Sequence, residues 1–402
     1  MKKLLLFMLL CAAILPSTSC TTFYLGRYVV WNAPTNHDYE RFPLRSIANG
    51  PEVFEFEQDG EAKRQFLENL EVIRYESGQR PRSAQLETLL KNSGTTAFII
   101  IREDVILYER YFQGYERDSL NTSASVSKSI VSALVGIAIA DGLIHSVDDP
   151  IVRYLPELEG KDAGDITIRQ LLTMSSGLKH NWGIAPWHDL ARSYYKPDIR
   201  RVALRTRVVE EPDRHYNYNN YHTQLLGVIL ERVTGSTVSE YLERKIWIPL
   251  GMEYPASWCL DSRRHGFEQM MSGLNARAID YARFGRLYLN GGIWEGREIV
   301  PTQWIKQTTE PVGPLERIPD YYATEQQEVA AAYFAGDGYY SHHWWGYQTG
   351  PGSYDYFALG ILGQFIYVSP QNRVIIVRMA EDWGAVDWWP AVFRELAADL
   401  KE

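Results

Sequence analysis

Cysteine is scarce in this chain: 402 residues hold 3. Cys11 lies in an N-terminal apolar stretch, which leaves Cys20 and Cys259. Two cysteines so far apart do not make a disulfide framework, and no Cys/His spacing suggests a zinc site. A basic excess is missing too. Lys and Arg total 41 against 50 Asp and Glu, a formal net charge of −9. No basic run, internal repeat or low-complexity tract occurs. That balance argues against a nucleic-acid partner, whose phosphates are met by clustered Lys and Arg. The apolar run Leu4 to Leu15, about 12 residues, falls short of the roughly 20 that a membrane-spanning helix takes.

What is present is an ordinary globular composition, 45% hydrophobic and 23% charged, in a chain long enough for a sizeable core. Aromatics reach 13%, with 12 Trp and 26 Tyr, which suits an enclosed aromatic pocket as well as plain core packing. Residues 1–20 read as a targeting segment: Met1-Lys2-Lys3 is the positive start, Leu4 to Leu15 the apolar centre, and Ser17-Thr18-Ser19 a small-residue cleavage region. Export followed directly by Cys20 resembles a bacterial lipoprotein signal, in which that cysteine becomes the lipidated first residue. Ser17 departs from the leucine usual there, so ordinary cleavage before Cys20 stays open. The resemblance implies an exported cell-envelope protein, anchored to the membrane by lipid at Cys20 and facing the periplasm or exterior. Cys259 is then a lone buried thiol. No protein partner is inferred.

Residues 21–82 mix aromatics with Pro, Asn and Asp without sustained period, and read as a tether and wrapping arm with a short helix over Ala62 to Ile73. The main body, residues 83–402, begins with a helix near Ser83 to Lys91. Ala97 to Ile101 and Val105 to Tyr108 flank a polar turn and predict a β-hairpin. A buried helix follows Ser125 and ends at Asp141-Gly142, where glycine suits a C-cap. Further helices are expected from Asp165 with Thr167 as N-cap, over Tyr218 to Thr234, Glu240 to Ile248 and Ala276 to Leu289. Gln364 to Val368 and Val374 to Arg378 predict a second hairpin, before a last helix over Trp388 to Leu400. Strands at both ends with helices between imply an α+β fold: one antiparallel sheet built from both termini, flanked by helices, with a helical subdomain.

The chemistry-bearing stretch is Ser125-Val126-Ser127-Lys128. Lys128 lies one turn after Ser125 on the same helical face. A serine hydroxyl is a weak nucleophile, and a lysine deprotonated by desolvation is a base that could activate it. Ser-x-x-Lys also occurs as Ser176/Lys179 and Ser193/Lys196, but only the first opens a long buried helix. The alternative for it is a helix-capping serine with a surface lysine. Tyr218-Asn219-Asn220 supplies a second part. A tyrosine with its pKa lowered by a nearby lysine can carry the serine proton and return it to the leaving group. The Asn220 amide could bond Lys128 and the substrate.

These stretches, with Leu171-Leu172-Thr173-Met174-Ser175-Ser176-Gly177-Leu178, Leu225-Leu226-Gly227 and Pro249-Leu250-Gly251-Met252, stand in the order found in the serine β-lactamase-like superfamily. The set resembles the branch holding class C β-lactamases, D-peptidases, related esterases and 6-aminohexanoate-dimer hydrolases. It covers roughly Thr95 to the C-terminus. The resemblance implies a β-lactamase/DD-peptidase-like fold and an acyl-Ser125 intermediate. Lys128 and Tyr218 would share the general-base and general-acid work, and the oxyanion would be met by the N–H groups of Ser125 and Ile361. It implies no metal and no cofactor.

The third box of that superfamily, Lys-Thr-Gly on the strand facing the serine, has two contenders: Gln348-Thr349-Gly350, and Leu359-Gly360-Ile361 directly before the terminal hairpin. The second holds the family position and has no positive charge. A cation for a substrate carboxylate is therefore missing, which favours an ester or small amide over a β-lactam or a D-Ala-D-Ala peptide. The rivals are a β-lactamase or D-Ala-processing peptidase, and a non-catalytic envelope-binding protein of the same fold. Trp182, Trp187, Tyr194 and Tyr195 are candidates for the pocket wall. His180, His215 and His222 lie near the cleft, and each reads as a capping or surface histidine in preference to a base.

Overall fold

The computed structural model describes residues 19–70, 72–183, 185–311 and 337–398. Of the targeting segment, only Ser19 and Cys20 fall among them, in the first turn of helix α1 (Ser19–Trp31). Among the described residues, no helix is long and apolar enough to cross a membrane.

In chain order, β1 (Leu44–Ile47) and α2 (Gly60–Asn69) precede the hairpin β2 (Val72–Glu76) and β3 (Pro81–Gln85), and α3 (Leu86–Asn92) follows. The main sheet begins with β4 (Thr95–Arg102) and β5 (Val105–Tyr111). The short strand β6 (Asn121–Thr122) leads into α4 (Val126–Ala140), and α5 (Ile168–Leu172), α6 (Asp189–Tyr195) and α7 (Asn220–Thr234) make up much of the helical part. Then come β7 (Ala256–Cys259), β8 (Leu274–Ala276), α8 (Ala278–Leu289), and the small hairpin β9 (Ile293–Trp294) and β10 (Arg297–Glu298). The chain closes with β11 (Gly338–Ser341), β12 (Trp344–Gly350), β13 (Ser353–Gly360), β14 (Gln364–Ser369), β15 (Val374–Ala380) and α9 (Trp389–Ala398).

Among the described residues the main sheet has the order β11-β12-β13-β14-β15-β4-β5, antiparallel throughout. The early strand β4 lies beside the late strand β15, with Ile101 opposite Ile375 and Ile99 opposite Val377. This is the α+β sheet from both ends of the chain that the two hairpins predict. Alternate residues of β4 enter different cores. Ile99 and Ile101 pack with Ile366, Val377 and the residues of α4 and α8, while Phe98 and Ile100 pack with Phe365, α3 and α9. Both faces are covered, so β4 reads as a continuous apolar run instead of an alternating one. Helix α8 lies very close to the sheet at Gly285, where a Cβ would come within 2.8 Å of Ile375 Cγ2.

A second sheet, β1-β7-β8-β6, brings the N-terminal segment into the body. Ile47 of β1 and Phe56 join the main core, so residues 21–82 contribute structure as well as wrapping. Two local expectations shift. The helix expected from Ser83 starts at Leu86, because Pro81 to Gln85 pair with β2. The helix expected over Glu240 to Ile248 is Val238–Leu242, capped by the reciprocal Thr237 and Glu240 bonds, followed by a π-turn over Glu243–Trp247.

Candidate active site

Ser125 sits at the junction of the two sheets and α4. Strand β6 ends three residues before it and pairs with β8, placing Thr122 opposite Asn275. Ser123 N donates to the Leu274 carbonyl at 2.8 Å, and Leu274 N donates to Ser127 Oγ at 3.1 Å. The hydroxyls of Ser123 and Ser127 are 2.7 Å apart. Between these ties Ala124 takes φ +46°, a left-handed conformation uncommon for a residue with a Cβ. The sharp turn delivers Ser125 to the N-terminus of α4, where its side chain caps no backbone N–H. The reading as a helix-capping serine therefore fails.

Lys128 is 1% exposed, so it is not a surface lysine either. Its Nζ lies 2.9 Å from Ser125 Oγ and 2.9 Å from the Met271 carbonyl oxygen. Burial lowers its pKa from the ordinary 10.5 to about 7, because the ammonium loses its hydration. The Tyr218 ring lies 4.9 Å from Nζ. Tyr218 hydrogen-bonds with Ser125, and burial holds its pKa above the ordinary tyrosine range. This corrects the expectation of a tyrosine acidified by lysine. Enclosure beside Trp182, Tyr340 and Trp345, with ring centroids 6.0 to 6.2 Å away, outweighs any such effect. Tyr218 is therefore a neutral phenol beside an amine that is partly neutral near pH 7.

Gly360 ends β13 against the serine loop. A Cβ there would lie 2.6 Å from the Ser123 carbonyl oxygen and 3.0 Å from Ala124 Cβ. Only glycine lets the strand come so near. The side chain of the next residue, Ile361, is 51% exposed. Among the described residues, the N–H groups of Ser125 and Ile361 donate to no carbonyl in a turn, loop or cap. The rival stretch Gln348-Thr349-Gly350 is exposed at the end of β12.

Other candidates are placed elsewhere. Asn220 is buried, but its amide donates to Ser193 Oγ at 3.4 Å, and Lys128 bonds the Met271 carbonyl in place of that amide. Trp182 does lie on Tyr218. Trp187 is 74% exposed, with its ring near His188, and makes no wall. Tyr194 is 4% exposed, yet it donates to the Asp38 carboxylate and packs on Phe42 and Tyr195. That cluster joins the 186–195 segment to the N-terminal arm, where Tyr24 donates to the Pro186 carbonyl and Arg27 to that of Asp261. Both misplacements come from one stretch rich in aromatics without periodicity. The Cys20 side chain lies outside what is described.

His180 and His222 are buried in place of the expected surface or capping positions, and His222 is held between Ser176 Oγ at 2.6 Å and Met174 Sδ at 3.2 Å. His215 pairs with Glu210 at 2.6 Å. Three neighbours of the site had not been identified from the sequence. The Met271 carbonyl has no side-chain signal, whereas Tyr340 and Trp345 stand in an aromatic stretch that offered one.

The likenesses to known proteins fit this geometry. The chain is 28% identical over 314 residues to a 6-aminohexanoate-dimer hydrolase of Paenarthrobacter ureafaciens, covering 74% of this chain and 76% of that protein. It is 30% identical over 179 residues to esterase EstB of Burkholderia gladioli, covering 38% and 44%. A solved structure, described as a putative 6-aminohexanoate-dimer hydrolase from Bacillus anthracis, superposes with a TM-score of 0.73 at 22% identity, covering 93% of each chain, and shares the fold. Residues 85–391 match the family model Beta-lactamase, and the chain belongs to that family within the serine hydrolase superfamily.

Proposed function

We propose that the protein is an exported serine hydrolase that cleaves an ester or small amide through an acyl-Ser125 intermediate. The observation that carries this reading is the 2.9 Å approach of Lys128 Nζ to Ser125 Oγ, made by an amine whose pKa burial brings to about 7. The neutral amine takes the hydroxyl proton as Oγ bonds to the substrate carbonyl carbon. The charge that gathers on the carbonyl oxygen faces the N–H groups of Ser125 and Ile361. Tyr218, protonated and bonded to Ser125, passes a proton to the leaving alcohol or amine and is replenished from Lys128. A water then attacks the acyl carbon, gives a proton to the Lys128–Tyr218 pair, and releases the acid as Ser125 regains its proton. One water is consumed and both residues return to their starting states.

The uncharged Leu359-Gly360-Ile361 box supports an ester or amide without a recognition carboxylate, and the likeness to esterase EstB supports an ester. Export and anchoring rest on the pattern from Met1 to Cys20; a lipid-bearing N-terminal peptide at Cys20 would support the anchor, and an unmodified one would remove it. The functional test is intact mass spectrometry after exposure to an activated ester, a linear amide and a penicillin. Mass added at Ser125 by the ester or amide, and then lost, is the expected result. Rapid acylation and release with the penicillin alone would transfer the protein to the β-lactamases. No adduct with any of the three, and no effect of Ser125→Ala, would leave a binding protein.

A further inference from the structure

The histidines buried around the site are not alike. His222 bonds Ser176 and Met174. His343 bonds Thr223 and Tyr340, and His342 bonds Ser341. His180 is 6% exposed, and among the described residues it is the side chain whose two enclosed polar atoms, Nδ1 and Nε2, both lack a hydrogen-bond partner. Enclosed polar atoms in folded proteins are nearly always bonded, and an exception calls for a reason.

The place of His180 supplies one. Its ring meets Trp182 edge-on at 5.2 Å and Tyr221 at 5.5 Å, and Trp182 lies in turn on Tyr218. The Lys128 charge acts on it, and so does Asp189 from α6. The backbone beneath is firmly held. Lys179 N donates to the Arg207 carbonyl at 2.9 Å, Val209 N to that of Gly177 at 2.9 Å, and Asn219 Nδ2 to that of Leu178 at 3.1 Å. The imidazole thus stands on a rigid segment, one ring away from Tyr218, with its bonding capacity unused.

We propose that His180 recognises the substrate, bonding a neutral amide or hydroxyl group carried on its acyl portion. The inference rests on the acyl-Ser125 reading. Burial keeps the ring neutral near pH 7, with its pKa at about 4. A neutral imidazole offers one N–H donor and one lone pair. An amide or hydroxyl can answer either, whereas a carboxylate answers only the donor and brings a charge that no third-box cation receives. An all-carbon acyl chain leaves both nitrogens unbonded, and sites built to hydrogen-bond a substrate discriminate strongly against analogues that lack the bond.

The test compares kcat/KM for phenyl N-acetylglycinate and phenyl pentanoate, acyl chains of equal length that differ by an internal amide. The wild type is expected to prefer the amide-bearing ester by about tenfold or more. His180→Phe should erase that preference, and His180→Asn, which keeps a donor and an acceptor, should restore part of it. A wild type without the preference, or a His180→Phe variant that retains it, overturns the inference. Labelling of wild-type Ser125 by a fluorophosphonate separates the two levels. Labelled Ser125 without ester preference removes only the role of His180, whereas unlabelled Ser125 removes the hydrolase reading beneath it.

Discussion

The main-chain carbonyl of Met271 accepts a hydrogen bond from Lys128 Nζ at 2.9 Å, across 143 residues of chain. The same nitrogen reaches Ser125 Oγ at 2.9 Å. The amine is therefore held from two sides. The carbonyl fixes one of its hydrogens and directs its remaining valences toward the serine. Gln269 to Gly273 form a tight turn on which the Met271 carbonyl stands, closed by Gly273 N to Gln269 O at 2.8 Å.

A buried lysine with a pKa of about 7 makes turnover pH-dependent in a defined sense. The reactive form is the neutral amine, so kcat/KM should rise with pH along an acid limb centred near that value. Lys128→Met should lower kcat/KM by about 10²–10⁴-fold, the range for loss of a positioned proton acceptor. Lys128→Arg should fail equally, since a guanidinium stays charged. An acid limb that survives unchanged in residual Lys128→Met turnover would assign the ionisation to another group.

Tyr218→Phe keeps the ring that packs beside Trp182, Tyr340 and Trp345 and removes only the hydroxyl. Thermal unfolding should shift little, while turnover of an unactivated ester falls by about 10²-fold or more through lost proton transfer to the leaving group. An activated phenyl ester, whose leaving group needs less protonation, should suffer less. Equal losses on both esters would point to a positioning role.

Gly360→Ala places a Cβ 2.6 Å from the Ser123 carbonyl oxygen, a contact with backbone that no rotamer change relieves. We expect a loss of about 1–3 kcal/mol in stability from overpacking, together with slower fluorophosphonate labelling of Ser125. Gly285→Ala is the control. Its Cβ would press on Ile375 Cγ2 at 2.8 Å, on α8 away from the serine loop. It should cost stability without slowing the labelling of folded molecules.

Acid should destabilise the fold through its buried histidines. Burial lowers His222 and His342 from the ordinary 6.5 to about 3, His180 to about 4, and His343 well below its ordinary value. Below pH 6.5 the unfolded chain gains protons that the folded chain refuses, so stability falls as pH drops toward 4. Asp261 and Asp280 oppose this, because burial raises both from 3.8 to about 6 and the folded chain takes up their protons first. Burial raises Asp38 and Glu231 as well, so the carboxyls together offset part of the histidine contribution. Denaturant titrations at pH 7, 6 and 5 measure the slope, which His342→Gln should reduce by about one proton.

Local signals carried well where the physics is local. Thr167 caps α5 with the reciprocal Gln170 bond, and Asn219 and Gly235 bound α7. These are contacts over a few residues that side-chain type alone dictates. Tyr194 and Trp187 show the opposite case. Both lie in a stretch where no period says which way a ring faces, and only packing sends one to Asp38 and the other to solvent. Asn220 is similar: an amide has many acceptable partners, and packing gives it Ser193.

By itself, the sequence determined the two-hairpin sheet, the buried helix behind Ser125, and the face shared by Ser125 and Lys128. Each follows from periodicity and steric preference within one element or turn. Tertiary structure decided what those residues became. The turn at Ala124, the Met271 carbonyl and the close passage of Gly360 come from segments far apart in sequence. The neutrality of Tyr218 and His180 and the lowered pKa of Lys128 follow from removal of water by walls that no single segment contains. Desolvation belongs to an enclosure, and an enclosure exists only after the chain has folded.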